Sequence, residues 1–281
     1  LNPLSLKNLS SGTLYLGHTD DLSLDMSATL SYNRALGNHM VNALVGISMK
    51  EDQSDSDNST YIGFPSGALS APEYAKEMYN KTNFSESTKR LVGFLFSLNY
   101  SFKDIYLLDA SMRIDGSSAF GTDKRFAPFW SFGLGVNLHK YEFMKSMEFV
   151  DQLKIRGSYG QTGKANFPAY AARTTYLVST DKWYKTGIST KLQALGNNKL
   201  TWETTNSFDI GAEITLFHDF LYVKGSYYNK RTIDLINDVT VPTSTGFTSY
   251  RDNIGEVSNK GCEFDLRISA YRSKDWLVIF N

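Results

Sequence analysis

The chain has 281 residues, 41% hydrophobic and 14% aromatic, with 29 Lys plus Arg against 29 Asp plus Glu. A formal net charge of zero lacks the basic excess of a nucleic-acid binder and weakens the case for a free soluble protein, because a chain near neutrality tends to self-associate. No apolar run approaches the roughly 18 residues a membrane-crossing helix needs; the longest, residues 91–98, is interrupted by Gly93 and Ser97.

With 17 Tyr, 18 Phe and only 6 Pro, the composition favours strands and suits a protein ringed by aromatic side chains at two membrane–water boundaries. Cys262 stands alone, so no intrachain disulfide forms and the redox compartment is unreadable from cysteine usage. The chain begins at Leu1 with no charged-then-apolar leader and stops at Asn281, inside an alternating run of Trp276, Val278 and Phe280. Both ends read as cuts, and the expectation is an internal piece of a longer protein.

Apolar residues at every second position mark strands along the chain. The first run is Leu22, Leu24, Met26, Ala28, Leu30 and Tyr32; the second is Val41, Ala43, Val45, Ile47 and Met49; the third extends from Val92 to Phe102. Tyr106 to Ile114 alternates against Asp109, Ser111, Arg113 and Asp115, and Trp130 to Leu138 follows. Leu153, Ile155 and Tyr159 mark the sixth; Phe208 to Leu216 is the seventh, against Asp209 and Glu213; a less regular eighth runs from Phe220 to Asn229. Cys262 to Ala270 alternates against Glu263, Asp265 and Arg267, and a tenth run starts near Trp276. Most of these approach the roughly 9–11 residues a tilted strand needs to cross a bilayer, rather than the ~5–6 typical of soluble sheets.

The connections alternate in length. Short ones fall at 34–39, 103–104, 139–152, 218–219 and 271–275; long ones at 50–87, 116–128, 164–203 and 232–256. A bacterial outer-membrane barrel has short periplasmic turns on one rim and long external loops on the other. The apolar set then faces lipid, and a polar set lines a lumen: Arg113, Asp115, Lys154, Arg156, Asp209, Glu213, Glu263, Asp265 and Arg267. The solvent side of a half-buried soluble sheet alternates in the same way. Two helices are predicted inside connections: one from Ser70 to about Asn80, opened by Ser70, Pro72 and Glu73, and one carrying Phe143, Met144, Met147 and Val150 on a single face.

Residues that carry chemistry are sparse. His18, His39, His139 and His218 are scattered, the last three at or beside short turns. Gly116-Ser117-Ser118-Ala119-Phe120 lacks the closing glycine of a nucleophile elbow, and Gly157, Gly160 and Gly163 are not followed by the Lys-Ser/Thr of a phosphate loop. The acidic run 51–58 has oxygen ligands of the kind calcium favours but, counted from Asp55, lacks the sixth-position Gly and twelfth-position Glu of an EF-hand; it reads as a solvated loop tip. Trp183, Tyr184 and Trp202 lie in or beside the 164–203 connection, where exposed rings stack on sugars or grip a partner, or else pack the loop onto the sheet. No cofactor, metal or catalytic residue is predicted.

Five segments together resemble the SusC/RagA family of TonB-dependent outer-membrane transporters of Bacteroidetes-type bacteria: RIDGSSAFGTDKRFAPFWSFGLGVNL (113–138), LKIRGSYGQTG (153–163), LGNNKLTWETTNSFDIGAEI (195–214), YYNKRTIDLI (227–236) and NIGEVSNKGCEFDL (253–266). Val136, Lys164 and Ala127 depart from the residues usual in that family. The resemblance implies an all-β fold, with residues 1–281 forming about ten strands of one antiparallel transmembrane barrel of roughly 22. It also implies that the plug domain, the TonB-contacting segment and the last barrel strands lie outside this stretch. The expected partners are a SusD-like lipoprotein, TonB acting through the plug, outer-membrane lipid and a glycan or peptide substrate. A small outer-membrane barrel enzyme and a soluble carbohydrate-binding β protein are the alternatives.

Overall fold

The computed structural model describes residues 12–65, 67–69, 71–121, 123–164, 168–170, 172–185, 187–247, 249–272 and 277–280, without the side chains of 80–81, 179–184, 272 and 277. In chain order the strands are β1 (Thr13–Leu36), β2 (His39–Ile62), β3 (Glu77–Phe102), β4 (Tyr106–Ser117), β5 (Phe126–Asn137), β6 (Val150–Lys164), β7 (Thr175–Tyr184) and β8 (Gly187–Ala194). They continue with β9 (Glu203–Leu216), β10 (Leu221–Ile233), β11 (Ile236–Thr240), β12 (Ser249–Asn253), β13 (Glu256–Arg272) and β14 (Leu277–Phe280). Ten of them form one sheet in the order β1-β2-β3-β4-β5-β6-β9-β10-β13-β14, an up-and-down meander with β1 and β14 at its edges. From β3 to β14 each neighbouring pair is antiparallel. The ten alternating runs of the sequence are the ten strands of this sheet.

The short connections are tight because their residues accept a left-handed backbone. Lys103 and Asp104 (φ 55° and 53°) turn β3 into β4, and Phe217, His218 and Asp219 (φ 59°, 60° and 65°) turn β9 into β10. The Asp219 amide donates to the Asp151 carboxylate, 3.1 Å away, which anchors the second turn to the base of β6. Histidines serve the same end of the sheet. His39 bonds the Tyr100 hydroxyl (2.7 Å) with its ring beside Phe102, and His139 Nδ1 lies 3.2–3.3 Å from the Leu153 backbone.

Both predicted helices shrink. In place of a helix over 70–80 there is one 3-10 turn, Pro72–Tyr74, without a side-chain cap; Ser70 lies outside the described residues. Ala75 is already extended (ψ 143°) and β3 starts at Glu77, so strand pairing overrides the local capping pattern. The second helix, α1 (Glu142–Lys145), has four residues and buries only Met144, because Val150 is drawn into β6 opposite Leu216.

The acidic run is not a loop tip. β2 carries it to Ile62, so alternation sends Glu51, Asp55 and Asp57 to one face and Asp52 to the other. Residues 12–25 and 50–90 belong to one compact unit, residues 26–49 and 91–281 to another. Within the first unit Arg90 grips Glu51 through two 3.1 Å bonds, and Ser23 donates to Asp52 at 2.7 Å.

Two hairpins, β7–β8 and β11–β12, rise from the long connections 164–203 and 232–256, where no strand is predicted. Register shifts in β7–β8, between Thr175 and Tyr176 and between Ser179 and Trp183, break its alternation; β11 and β12 have only five residues each. The β11–β12 hairpin is fixed at its foot by Asn253, which accepts from the Thr201 amide (2.9 Å) and donates to the carbonyls of Thr201 (3.0 Å) and Asp234 (2.7 Å). Asn253→Ala strands those partly buried groups at a cost of about 1–3 kcal/mol. Hydrogen exchange is expected to accelerate over 236–253 while the ten-stranded sheet keeps its protection.

Candidate functional site

Register places every charged residue expected to line a lumen on one face of the sheet. Lys154 of β6, Glu213 of β9, Lys224 of β10 and Asp265 of β13 lie directly opposite one another in a row of alternating sign. Arg156 reaches both Glu213 (3.4 Å) and Asp209 (4.0 Å), and Lys224 lies 3.6 Å from Asp265. Glu263 stands opposite Ser226, Arg267 lies over the Tyr222 ring (4.9 Å to its centre), and Arg113 pairs with Asp115. These ion pairs are half-exposed, where each contributes little net stability. What the row does is keep this face wet and close to neutral.

The opposite face is continuous and greasy. Leu134 (55% exposed), Ile155 (44%), Ile210 (46%) and Phe264 (78%) all point outward from it, on four different strands. Along β4 it runs from Tyr106 to Ile114, about 27 Å at the ~3.4 Å rise of an antiparallel strand. That height matches the ~25 Å apolar band of an outer-membrane barrel. On β10 and β13 the same face turns polar beyond Tyr227 and Cys262, at Asn229 opposite Lys260, and then at Arg231, which is clamped on Glu256.

Rings cluster at both limits of the band. Trp130 meets Tyr159 edge-on (5.6 Å) at the end bearing the long connections. At the short-turn end Phe149 packs by Phe217, and Tyr141 donates to the Tyr106 hydroxyl (2.7 Å), a bond that pushes the Tyr141 hydroxyl above its ordinary pKa. Indoles and phenols favour such a boundary because one end is apolar and the other hydrogen-bonds.

Over the long-connection end of the polar face sits a small, dry knot. Trp202 is 5% exposed, stacked on Phe120 (4.5 Å between centres) and edge-on to Phe129 (5.5 Å), and its indole N–H donates to the Arg125 carbonyl (3.3 Å). A side chain on Gly121 would strike the Asn198 backbone, so the two connections meet backbone to backbone there. Of the two roles open to Trp202 in sequence, its burial supports loop packing over sugar stacking. Trp183 and Tyr184 fall in β7, but their side chains lie outside the described residues. Phe120, Arg125, Phe129 and Asn253 escaped notice as a set in sequence, although each belongs to one of the quoted motifs. Among the described residues no group of three or more His, Cys, Asp or Glu is placed to hold a metal.

A family model described as "TonB dependent receptor-like, beta-barrel" matches residues 4–281. The chain belongs to this family. Among its relatives are the TonB-dependent receptor P26 of Formosa agariphila, 32% identical over 95% of this chain, and the TonB-dependent receptor SusC of Bacteroides thetaiotaomicron, 27% identical over 97%. The RagAB peptide transporter structure superposes with a TM-score of 0.86 at 26% identity over 95% of this chain. The ferric enterobactin receptor of Pseudomonas aeruginosa, at 17% identity and a TM-score of 0.55, shares the fold. The chain spans 28% of the P26 and SusC sequences and 30% of the RagAB chain.

Two neighbouring positions separate the faces of this TonB-dependent receptor barrel. Leu134→Arg puts a charge on the apolar band, at a cost of about 2–4 kcal/mol near its middle, whereas Ser158→Arg adds the same side chain beside Asp209 on the polar face. In the whole receptor the first is expected to lose most of the folded form seen as heat-modifiable gel mobility, and the second to retain it.

Proposed function

We propose that this chain is part of the wall of a roughly 22-stranded outer-membrane barrel, in a TonB-dependent importer that takes up glycan or peptide oligomers with a SusD-like surface lipoprotein. The continuous, exposed apolar band carries the proposal, because it fits hydrocarbon in height and is bounded by rings on both sides. The polar face then lines the lumen and meets a plug supplied by another part of the protein, on which TonB pulls. The short turns face the periplasm and the long connections the outside, in the outer membrane of a Gram-negative, Bacteroidetes-type cell. Membership in the receptor family supports this orientation, as does likeness to SusC and to the RagAB peptide transporter.

On this reading the β2–β3 extension and the hairpins β7–β8 and β11–β12 stand at the cell surface, where lid and substrate arrive. Each can be replaced in the whole importer by a two-residue Asn-Gly turn, which closes a hairpin without strain. At least one replacement is expected to reduce co-purification of the surface lipoprotein or uptake of a labelled oligomer several-fold, with the barrel still heat-modifiable. Full association and full uptake in all three would refute a role for these segments.

A further inference from the structure

Between the foot of β7–β8 and the β11–β12 hairpin lies an open cleft of about 430 Å³, within the ~300–1,000 Å³ range of ligand sites. One wall presents Tyr170, Arg173 and Gln193, the other Phe247, Tyr250 and Arg251. Hydrogen bonds and close backbone contact join the two walls through a common floor. Asn197 donates to the Arg251 carbonyl and to the Asp252 carboxylate, both at 3.0 Å, which ties the floor to the second wall. A side chain on Gly196 would collide with the backbone of Arg173 and Thr174, so floor and first wall are in backbone contact. Tyr170 holds a left-handed backbone (φ 64°), a strain that a bulky residue keeps only where its surroundings enforce it. The Arg173 amide donates to the Tyr170 carbonyl (2.9 Å) and closes that turn.

Charge is unevenly matched across the cleft. Arg251 is answered by Asp238 at 3.4 Å, and the Tyr250 hydroxyl donates to Asp252 at 3.2 Å. Arg173 lies over the Tyr170 ring, its guanidinium carbon 5.6 Å from the ring centre, and among the described residues no carboxylate pairs with it. A guanidinium backed by a ring and open to a cleft is suited to a planar, two-oxygen anion, which it grips with paired N–H donors. Tyr170 and Phe247 offer apolar surfaces on either side for the rest of the ligand.

We propose that this cleft binds a carboxylate-bearing oligomer, Arg173 receiving the carboxylate while Tyr170 and Phe247 flank the adjoining unit, a site that rests on the importer reading. The carboxylate comes either from a peptide's C-terminus or from a uronic acid of a glycan. Two probe pairs separate these sources on the purified whole importer: a pentapeptide with a free C-terminus against its amide, and trigalacturonate against its methyl ester. Calorimetry is expected to show at least a tenfold preference for the free acid in one pair, which names the source. Arg173→Gln is expected to abolish that preference and leave the neutral partner's affinity within about twofold, and Arg173→Lys to restore part of it, both variants staying heat-modifiable. The proposal is overturned if the wild-type protein prefers neither acid, or if the preference survives in Arg173→Gln. Uptake read in parallel keeps the two ideas apart. Arg173-dependent binding without uptake sinks the importer reading alone, and uptake without Arg173-dependent binding sinks the site alone.

Discussion

In hydrocarbon an unpaired backbone N–H or C=O has no water to turn to, so a chain that crosses as strands must pair every one of them sideways. Once the ladder of this sheet is set, alternation assigns each side chain to one of two faces with no freedom left, because slipping by one residue would exchange the faces. Leu153, Ile214, Val223 and Leu266 stand in one row, and Lys154, Glu213, Lys224 and Asp265 in the next. A slip of β10 alone would put Lys224 on the apolar band beside Ile214. The register is therefore held by the cost of charge in lipid as much as by attraction within the sheet.

Such a wall leaves little room for a conventional core. Among the described residues the buried apolar ones are few, and the cluster Phe120–Phe129–Trp202 lies where connections fold over the polar face. Trp202 enters from the segment before β9, Phe120 from the connection between β4 and β5, and Asn253 secures a third connection to Thr201. Loops that must stand up from a membrane surface gain order from a dry centre and paired backbone groups. Through Asn253 and Thr201 the same region is tied to the foot of the β11–β12 hairpin, one wall of the proposed cleft.

Most of the wall was legible in sequence, because a residue that must face lipid or water declares itself at every second position. The ten runs, the short-long rhythm of their connections and the whole charged face from Arg113 to Arg267 follow from that rule. Where the rule stops, legibility stops. β11 and β12 are five-residue strands, and β12 is half-buried at every position, so neither alternates between a buried and an exposed face. The capping signal at Ser70, Pro72 and Glu73 is sound chemistry for a helix, but the residues after it are recruited by β3. Trp202 stayed open between surface stacking and loop packing because its partners, Phe120 and Phe129, are more than seventy residues away in sequence. The five motifs of the family resemblance meet the same limit: all five converge on this knot, with Ile236 packed on the cluster and Gly163 against the Phe129 ring, a relation that spacing along the chain does not reveal.

The balance of charge acquires a meaning once the faces are known. On the importer reading, a lumen lined by alternating Lys154, Glu213, Lys224 and Asp265 presents no strong net field. Attraction between half-exposed opposite charges is weak and screened by salt, so a passing oligomer of either sign is neither held nor turned away for long. A wall of this kind suits transit. On the same reading discrimination occurs where charge is unbalanced, as at the proposed cleft, where among the described residues no carboxylate pairs with Arg173 beside the neutralised pair Arg251–Asp238. If both proposals hold, capture and passage fall to different parts of one chain: a close fit is useful at the mouth, and indifference is useful below it.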